Sequence, residues 1–253
     1  RRGVLGVGVV PPLVVRGEAP ILGWAPPRMA RAGPDLIQRL GDLYGQRDPG
    51  LARALSQAGL TEGIAQRRGM GSEVRGGGGP DSADGMKRIA EGAAALVGAD
   101  DGPRIAALVF EGWDTHANEG GAKGRLAQLL GGLDGALASF EAGLKPVWND
   151  TVVMVVTEFG RTAKVNGTVG TDHGTGTVAF LVGGAVKGGR MIADWPGLKL
   201  EQLHEKRDLK PTTDIRAVAK GVVSELFGLS GPVLAEKVFP GTGGLAPLAG
   251  LVG

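Results

Sequence analysis

The chain has 253 residues, of which 42% are hydrophobic and 21% charged, and its formal net charge is +2. These values indicate one large globular domain, or one domain with an appended lobe, and the scattered basic residues exclude an extended nucleic-acid surface. No apolar run is long enough to span a membrane, and the absence of cysteine excludes disulfides and thiolate metal sites.

The first hundred residues predict short strands and helices joined by loops. Residues 1–27 contain short apolar runs between proline-rich turns. The loop at 68–86 contains four consecutive glycines, which do not form a regular element. Apolar residues at helical spacing predict helices at 33–46, 48–60 and 86–99. The chain begins at Arg1 in the middle of a strand-like pattern, so we expect a fragment that lacks its N-terminal part.

The rest of the chain alternates between predicted strands and helices. Continuous apolar runs predict strands at 104–110, 151–157, 177–184 and 190–196, the first buried on both faces and the second also a buried strand. A helix between the first two strands has a stripe formed by Leu126, Leu129, Leu130, Leu133, Leu137, Phe140 and Leu144. A last helix starts near Thr213 and is expected to bury Ile215, Val218, Val222 and Phe227. This alternation predicts an α/β fold with a mostly parallel open sheet flanked by helices.

Two loops that follow predicted strands contain two of the three histidines, each beside an aspartate. In "GWDTH", Asp114 and His116 lie on the same side of the chain if the segment is extended, so they can share one ion. In "TDHG", Asp172 and His173 lie on opposite sides if extended, but a tight turn can bring them to one ion or let them bridge two. Ligands of open α/β sheets bind at such strand ends.

A third carboxylate, Glu158, follows the strand at 151–157. An unpaired carboxylate at the end of a buried strand is costly, and a metal or Arg161 would offset that cost. With the two Asp-His pairs, Glu158 completes a set of three carboxylates and two imidazoles, which is sufficient for one hydrolytic metal and nearly enough for two.

Each of these motifs also has a purely structural interpretation. Asp114 and His116 can stabilise their loop through hydrogen bonds, and Asp172 can form an Asx-turn. Glu158 and Arg161 can form a salt bridge at the rim of a turn. The third histidine, His204, lies in a charged segment and is expected to be exposed. The four-glycine run is a weak candidate for binding phosphate, because no strand precedes it.

The segments "GWDTHANE", "TVVMVVTEFGRTAKVNGTVGTDHGTG", "GGAVKGGRMIADWPGL" and "RDLKPTTDIRAV" resemble, in this order, the bacterial family called domain of unknown function 1501 (DUF1501). That family is grouped with the alkaline phosphatase and sulfatase superfamily. The resemblance covers residues 105–240. It implies an alkaline-phosphatase-like core that is incomplete at the N-terminus. Residues 1–100 would be a partial, variable region of the same domain, rich in helices and loops, and residues 101–253 would be the C-terminal part of the core.

The resemblance also implies a function. Superfamily members hydrolyse phosphate, sulfate or related esters at a one- or two-metal centre, so Asp172 and His173 correspond to a metal-binding pair and Asp114 and His116 to ligands of the other ion. Glu158 is a further candidate ligand, and Arg161 is expected to bind the anionic group of a small ester substrate. The implied cofactor is a divalent metal, zinc first, with manganese, magnesium or calcium as alternatives.

No nucleophile is assigned, because in the superfamily it follows the first core strand, which we expect in the missing N-terminal part. Family members often carry a twin-arginine export signal, so a periplasmic or otherwise exported protein is expected, although Arg1 and Arg2 do not show it. The sequence leaves two other hypotheses open. One is a non-catalytic exported binding or assembly module that retains the fold, and the other is a purely structural role for the polar loops. The oligomeric state is not determined by the sequence.

Overall fold

The structure is a computed structural model and describes residues 3–8, 12–15, 17, 19–25, 33–67 and 82–253. The chain forms two compact units. Unit 1 contains Arg1–Trp113 and Ala127–Leu144, and unit 2 contains Asp114–Leu126 and Lys145–Gly253. The twin arginines and the four-glycine run lie outside the described residues.

Unit 1 contains a three-stranded parallel sheet. Its strands are β1 (Val4–Val7), β2 (Ile21–Trp24) and β3 (Ile105–Leu108), in the order β2-β1-β3. The central strand is the apolar core of the sheet, with Leu5 and Val7 almost completely buried. The predicted α/β class is therefore confirmed, whereas the parallel part of the predicted open sheet is limited to these three strands among the described residues. The prediction that the run at 104–110 is buried on both faces is wrong, because β3 forms an edge of this sheet and Ile105 is 48% exposed.

Among the described residues, four α-helices lie wholly or mainly in unit 1, and all four were predicted. They are α1 (Pro34–Arg47), α2 (Pro49–Arg67), α3 (Ala83–Val97) and α4 (Arg125–Gly143). Helix α3 begins after Ser82, whose hydroxyl oxygen accepts a hydrogen bond from the backbone N–H of Gly85 at 3.0 Å. Among the described residues, no helix combines the length and the hydropathy needed to cross a membrane.

Glycine allows α3 to pack closely against its neighbours on two sides. A Cβ atom at Gly92 would lie 2.0 Å from the ring of Trp24, and one at Gly132 of α4 would lie 2.8 Å from the backbone of Ala83. The close approach explains why the buried face of α4 includes small residues, namely Gly132, Ala136 and Ser139 beside Leu129 and Phe140. The predicted stripe of large residues is therefore only partly correct, since Leu130 is exposed.

Unit 2 contains two short antiparallel strand pairs. Strand β4 (Val153–Val155) pairs with β7 (Phe180–Val182), and β5 (Gly160–Arg161) pairs with β6 (His173–Gly174). The strands predicted at 151–157 and 177–184 are thus present in shortened form, but they pair with each other and do not extend a parallel sheet. Phe180 is partly exposed on this pair, and so is Val156 beyond the end of β4. The strand at 151–157 was expected to be buried and is only half-buried.

The strand predicted at 190–196 is not formed. This segment is irregular, and Met191 and Trp195 are exposed. The apolar pattern suggested a strand, but a strand also needs a neighbouring backbone for its hydrogen bonds, and the pattern does not contain that information. Unit 2 also contains two short 3₁₀ turns, Lys145–Asp150 before β4 and Leu200–Gln202 after the irregular segment.

The last helix, α5 (Ile215–Phe227), starts close to the predicted Thr213 and buries Val222. Ile215 is exposed in its first turn, which corrects the expectation that it is buried. A helical turn at Gly231–Val233 continues as a π-helix at Leu234–Val238. The C-terminal segment then packs back on α5, where the buried Lys220 ammonium donates hydrogen bonds to the carbonyl oxygens of Thr242 and Leu245 at 2.9 and 2.6 Å.

Candidate metal centre

Two loops of unit 2 are held together by backbone hydrogen bonds. We call residues 114–119 the first loop and residues 166–173 the second loop. The N–H groups of Asn118 and Glu119 donate to the carbonyl oxygens of Thr168 and Val169, both at 3.0 Å. The N–H of Thr171 donates in return to the carbonyl oxygen of Thr115 at 3.4 Å. Side chains from the two loops therefore meet at a defined position.

The glycines of the second loop region allow this close approach. A Cβ atom at Gly170 would lie 2.2 Å from the carbonyl oxygen of His116, and one at Gly174 would lie 2.5 Å from the carbonyl oxygen of Arg161. Distances this short exclude a side chain unless the backbone moves. Three of the four glycines in "GTVGTDHGTG", namely Gly170, Gly174 and Gly176, are therefore explained by packing between neighbouring backbones.

Three side chains converge on one point between the loops. The Nε2 atoms of His116 and His173 lie 2.8 and 2.7 Å from the same oxygen, Oδ1 of Asp114. The segment that contains Asp114 and His116 is a tight turn rather than an extended strand, because the N–H of His116 donates to the carbonyl oxygen of Asp114 at 3.1 Å. Thr115, between them, is buried. Asp114, His116 and His173 thus form a possible metal site with all three residues exposed.

The other two predicted ligands lie elsewhere. Asp172 is on the far side of His116, with its Oδ1 3.3 Å from Nδ1 of that ring. Glu158 is exposed and is not part of the three-residue cluster. The argument that its carboxylate needs a partner because it ends a buried strand is therefore wrong, since the side chain is solvated where it lies.

Arg161 is directed into the cluster. Its guanidinium donates to Asp114 Oδ1 at 3.3 Å, to the Thr171 carbonyl oxygen at 3.1 Å and to Thr115 Oγ1 at 3.0 Å. It therefore connects both loops and shares the oxygen that the two histidines contact. These contacts position the loops, whereas binding of a substrate anion by Arg161 stays a prediction.

The surrounding charges keep the two aspartates ionised. Desolvation acts to raise the pKa of Asp114, but the hydrogen bond from His173 and the electrostatic interactions with His116, His173 and Arg161 together lower it. The pKa of Asp172 is lowered by the hydrogen bond from Asn166 and then by that from His116. Ionised carboxylates are the form that binds cations.

The geometry of the cluster fits a divalent ion after a small rearrangement. The three ligand atoms all lie within 4.8 Å of one another. Zinc bound tetrahedrally at about 2.0–2.2 Å would separate neighbouring ligand atoms by roughly 3.3–3.5 Å, so the two Nε2 atoms would move about half an ångström away from Asp114. Side-chain exposure of 45% for His116, 50% for Asp114 and 52% for His173 leaves room for that movement. Two imidazoles and one carboxylate also match the ligand set of open zinc sites.

Sequence reasoning missed two residues that shape the cluster. The ring of Phe159 is stacked on His173, and the side chain of Asn166 bonds to both loops. Nothing in the sequence marks Phe159 for this role. Asn166 precedes a glycine, and the Asn-Gly pair is a turn signal that could have drawn attention to it.

Two further side chains near the cluster have clear structural positions. His204 is exposed, as predicted. Thr175, two residues after His173, donates from Oγ1 to Oδ2 of the buried Asp208 at 2.9 Å. Asp208 also accepts a hydrogen bond from Arg207 at 2.6 Å, so this side chain is a structural anchor beside the second loop.

Comparison with known proteins identifies the family. The family model described as "Protein of unknown function (DUF1501)" matches residues 61–238, which is more than half of the chain and includes the whole cluster. No curated protein and no solved structure matches. The resemblance drawn from the sequence motifs is confirmed at this level: the chain belongs to the DUF1501 family.

Proposed function

We propose that the chain binds a divalent metal, zinc in the first place, through Asp114, His116 and His173, and that it belongs to a metal-dependent hydrolase of phosphate or sulfate esters. The observation that carries this proposal is the convergence of two imidazoles and one carboxylate at an exposed position. Structural zinc sites are closed by four protein ligands, whereas catalytic sites have three and keep one position open.

The choice of zinc follows from the donor atoms. Imidazole nitrogen suits zinc, while magnesium and calcium prefer a shell of oxygen atoms. Manganese accepts mixed nitrogen and oxygen ligands and is the first alternative. An ion at this site supplies Lewis-acid polarisation of an ester oxygen. The alkaline-phosphatase-like core is part of the proposal, and it is supported by the small parallel sheet and its helices.

The residues of this chain would hold and orient an anionic substrate group near the cluster. Arg161 lies beside Asp114 and offers a planar cationic fork. Its present contacts with Thr171 and Thr115 are intramolecular. A direct role in substrate binding therefore requires that one of its nitrogens exchanges a loop contact for the substrate.

A second candidate function is a metal-binding module without catalysis. The hydrogen bonds of Arg161 to Asp114, Thr115 and Thr171 favour this second function, because the guanidinium is already engaged in connecting the two loops. In that case the ion would fasten Asp114 and His116 of the first loop to His173 of the second loop.

One experiment separates these functions. Three proteins are compared: the wild-type chain, His173→Ala and the control His204→Ala, which removes an exposed histidine outside the cluster. Each is dialysed against zinc or, in a parallel sample, against manganese, and then against buffer. Metal content is measured by mass spectrometry, and hydrolysis is measured with 4-nitrophenyl phosphate and 4-nitrophenyl sulfate.

We expect one zinc per chain in the wild type and in His204→Ala, and its loss in His173→Ala. Ester hydrolysis that is lost together with the zinc supports the hydrolase. Stoichiometric zinc without hydrolysis of either ester, with the hydrolysis assay run on the full-length protein, supports the binding module. A wild-type chain that retains neither zinc nor manganese refutes both candidate functions.

A further inference from the structure

His116 lies between two carboxylates. Its Nε2 atom is 2.8 Å from Asp114 Oδ1, and its Nδ1 atom is 3.3 Å from Asp172 Oδ1. A neutral imidazole has a single N–H and therefore donates to only one of the two carboxylates, while the other nitrogen keeps its lone pair. The identity of the carboxylate that receives the proton decides which nitrogen can bind a metal.

Asp172 is held in a fixed orientation towards His116. Its backbone N–H donates to Thr162 Oγ1 at 3.2 Å, and its carbonyl oxygen accepts from the N–H of Thr162 at 3.0 Å. Because adjacent residues of an extended segment point to opposite sides, Asp172 faces the Nδ1 side of His116 while His173 faces Asp114. The sequence left open whether Asp172 and His173 converge, and the structure shows that they diverge.

Asn166 fixes the carboxylate of Asp172 from the other side. Its Nδ2 donates to Asp172 Oδ1 at 3.0 Å and to the carbonyl oxygen of His116 at 2.9 Å. Its Oδ1 accepts from the N–H groups of Thr168 and Gly170, both at 3.0 Å. The amide group therefore has a single consistent orientation, in which the donor side faces Asp172 and His116.

We propose that Asp172, held by Asn166, is a positioning residue that accepts the Nδ1 proton of His116 and so leaves the Nε2 lone pair to bind the metal. Asp172 is then not itself a ligand, in contrast to the assignment implied by the family resemblance. A metal-binding histidine commonly donates its second N–H to a carboxylate, and loss of that partner typically weakens metal binding by about 10–100-fold. The proposal rests on the metal centre proposed above.

The first test needs no metal. In the wild-type chain the two carboxylates compete for the proton, so Asp172 is isolated by the variant Asp114→Ala, which removes an exposed residue. The tautomer of His116 is measured at pH 9 by long-range ¹H–¹⁵N correlation. The chain has only three histidines, so the variant His116→Ala identifies the signal. We expect the proton on Nδ1 in Asp114→Ala and its transfer to Nε2 in Asp114→Ala/Asp172→Ala.

The second test measures zinc affinity in single variants that keep Asp114. We expect Asp172→Ala to weaken zinc binding by about 10–100-fold and Asn166→Ala by a smaller factor. Asp194→Ala, at an exposed position outside the cluster, should bind zinc like the wild type. Thermal unfolding of each variant, which should remain cooperative because Asp172 is exposed, confirms that the chain is folded.

The outcomes distinguish this proposal from the metal centre itself. Expected tautomers in a chain that does not bind zinc support the contact between Asp172 and His116 and refute the metal centre. A proton that stays on Nε2 whether or not Asp172 is present overturns the positioning role. Zinc binding that is unaffected by Asp172→Ala also overturns it. An unchanged tautomer together with a loss of zinc as complete as in His173→Ala would make Asp172 a ligand.

Discussion

The ring of Phe159 is stacked on the imidazole of His173, with ring centroids 4.2 Å apart and an interplanar angle of 22°. The guanidinium carbon of Arg161 lies 5.3 Å from the centroid of the same phenyl ring. Phe159 therefore contacts a candidate metal ligand and the cation that connects the two loops. Its apolar surface restricts the rotation of His173 and keeps Nε2 directed at Asp114.

Replacing Phe159 by leucine should weaken zinc binding while the chain remains folded. Leucine keeps an apolar contact but loses the planar stacking, which is worth about 0.5–1.5 kcal/mol, or roughly a twofold to tenfold change in affinity. Isothermal titration of the wild type and Phe159→Leu measures this change. The matched control is Phe180→Leu on β7, a partly exposed phenylalanine. Equal zinc affinity in all three proteins would contradict the role assigned to Phe159.

Replacing Val169 by glycine should stabilise the chain. Val169 is an exposed, β-branched residue with φ of 60°, a left-handed conformation that costs an L-residue about 1–2 kcal/mol. Glycine removes that cost, but its greater conformational freedom in the unfolded chain destabilises the folded state by about 0.5–1 kcal/mol. The free energy of unfolding should therefore rise by a net amount of about 0.5–1 kcal/mol. Denaturant unfolding measures the difference.

Val165 provides the control for this substitution. It lies just before the second loop and is as exposed as Val169, at 61%, but it is not among the residues with positive φ. Val165→Gly should therefore destabilise the chain by about 0.5–1 kcal/mol. If both substitutions changed the unfolding free energy in the same direction, backbone strain at Val169 would be ruled out.

Replacing Lys220 by methionine should destabilise unit 2. Lys220 is only 2% exposed, and its ammonium donates to the carbonyl oxygens of Thr242 and Leu245. Methionine fills much of the same volume but leaves these buried acceptors without a donor, which should cost about 2–4 kcal/mol. Chemical denaturation tests this value, with Lys145→Met at an exposed position as the control. A loss of similar size in the control would show that the buried hydrogen bonds are not the cause.

Acid should remove the stability that Asp214 contributes at the start of α5. Hydrogen bonds from the Arg216 side chain and backbone lower the pKa of Asp214 from 3.8 to about 2. Because the native pKa is below the unfolded one, this contribution is present above about pH 4 and is lost as the pH falls towards 2. The unfolding free energy of the wild type should thus approach that of Asp214→Asn within this window.

Arg216→Gln tests the cause of that pH dependence. Removing the guanidinium removes the first cause of the lowered pKa but keeps the backbone hydrogen bond from residue 216, so the additional substitution Asp214→Asn should then change the pH profile less than it does in the wild type. The free energy of unfolding is measured with denaturant between pH 2 and pH 6 for four proteins: the wild type, the two single variants and the double variant. A difference between wild type and Asp214→Asn that does not change with pH would contradict the assignment.

Local sequence signals predicted the helices but not how the strands pair. Each of α3, α4 and α5 was recognisable from apolar spacing or from a capping residue, both of which act within a few positions along the chain. Pairing of β4 with β7, in contrast, depends on which backbones meet in space. The apolar run at 190–196 had the composition of a strand and forms none, because composition does not supply a partner.

The same division holds for the candidate site. The sequence by itself determined the chemistry that is available: two of three histidines beside aspartates, no cysteine, and glycines where loops must approach each other. Only the tertiary structure decided that His173 joins Asp114 and His116, that Asp172 faces the opposite side of His116, and that Glu158 is solvated. The physical reason is that side-chain direction is set by hydrogen bonds between loops that lie about 50 residues apart in the chain, such as that from Asn118 to Thr168.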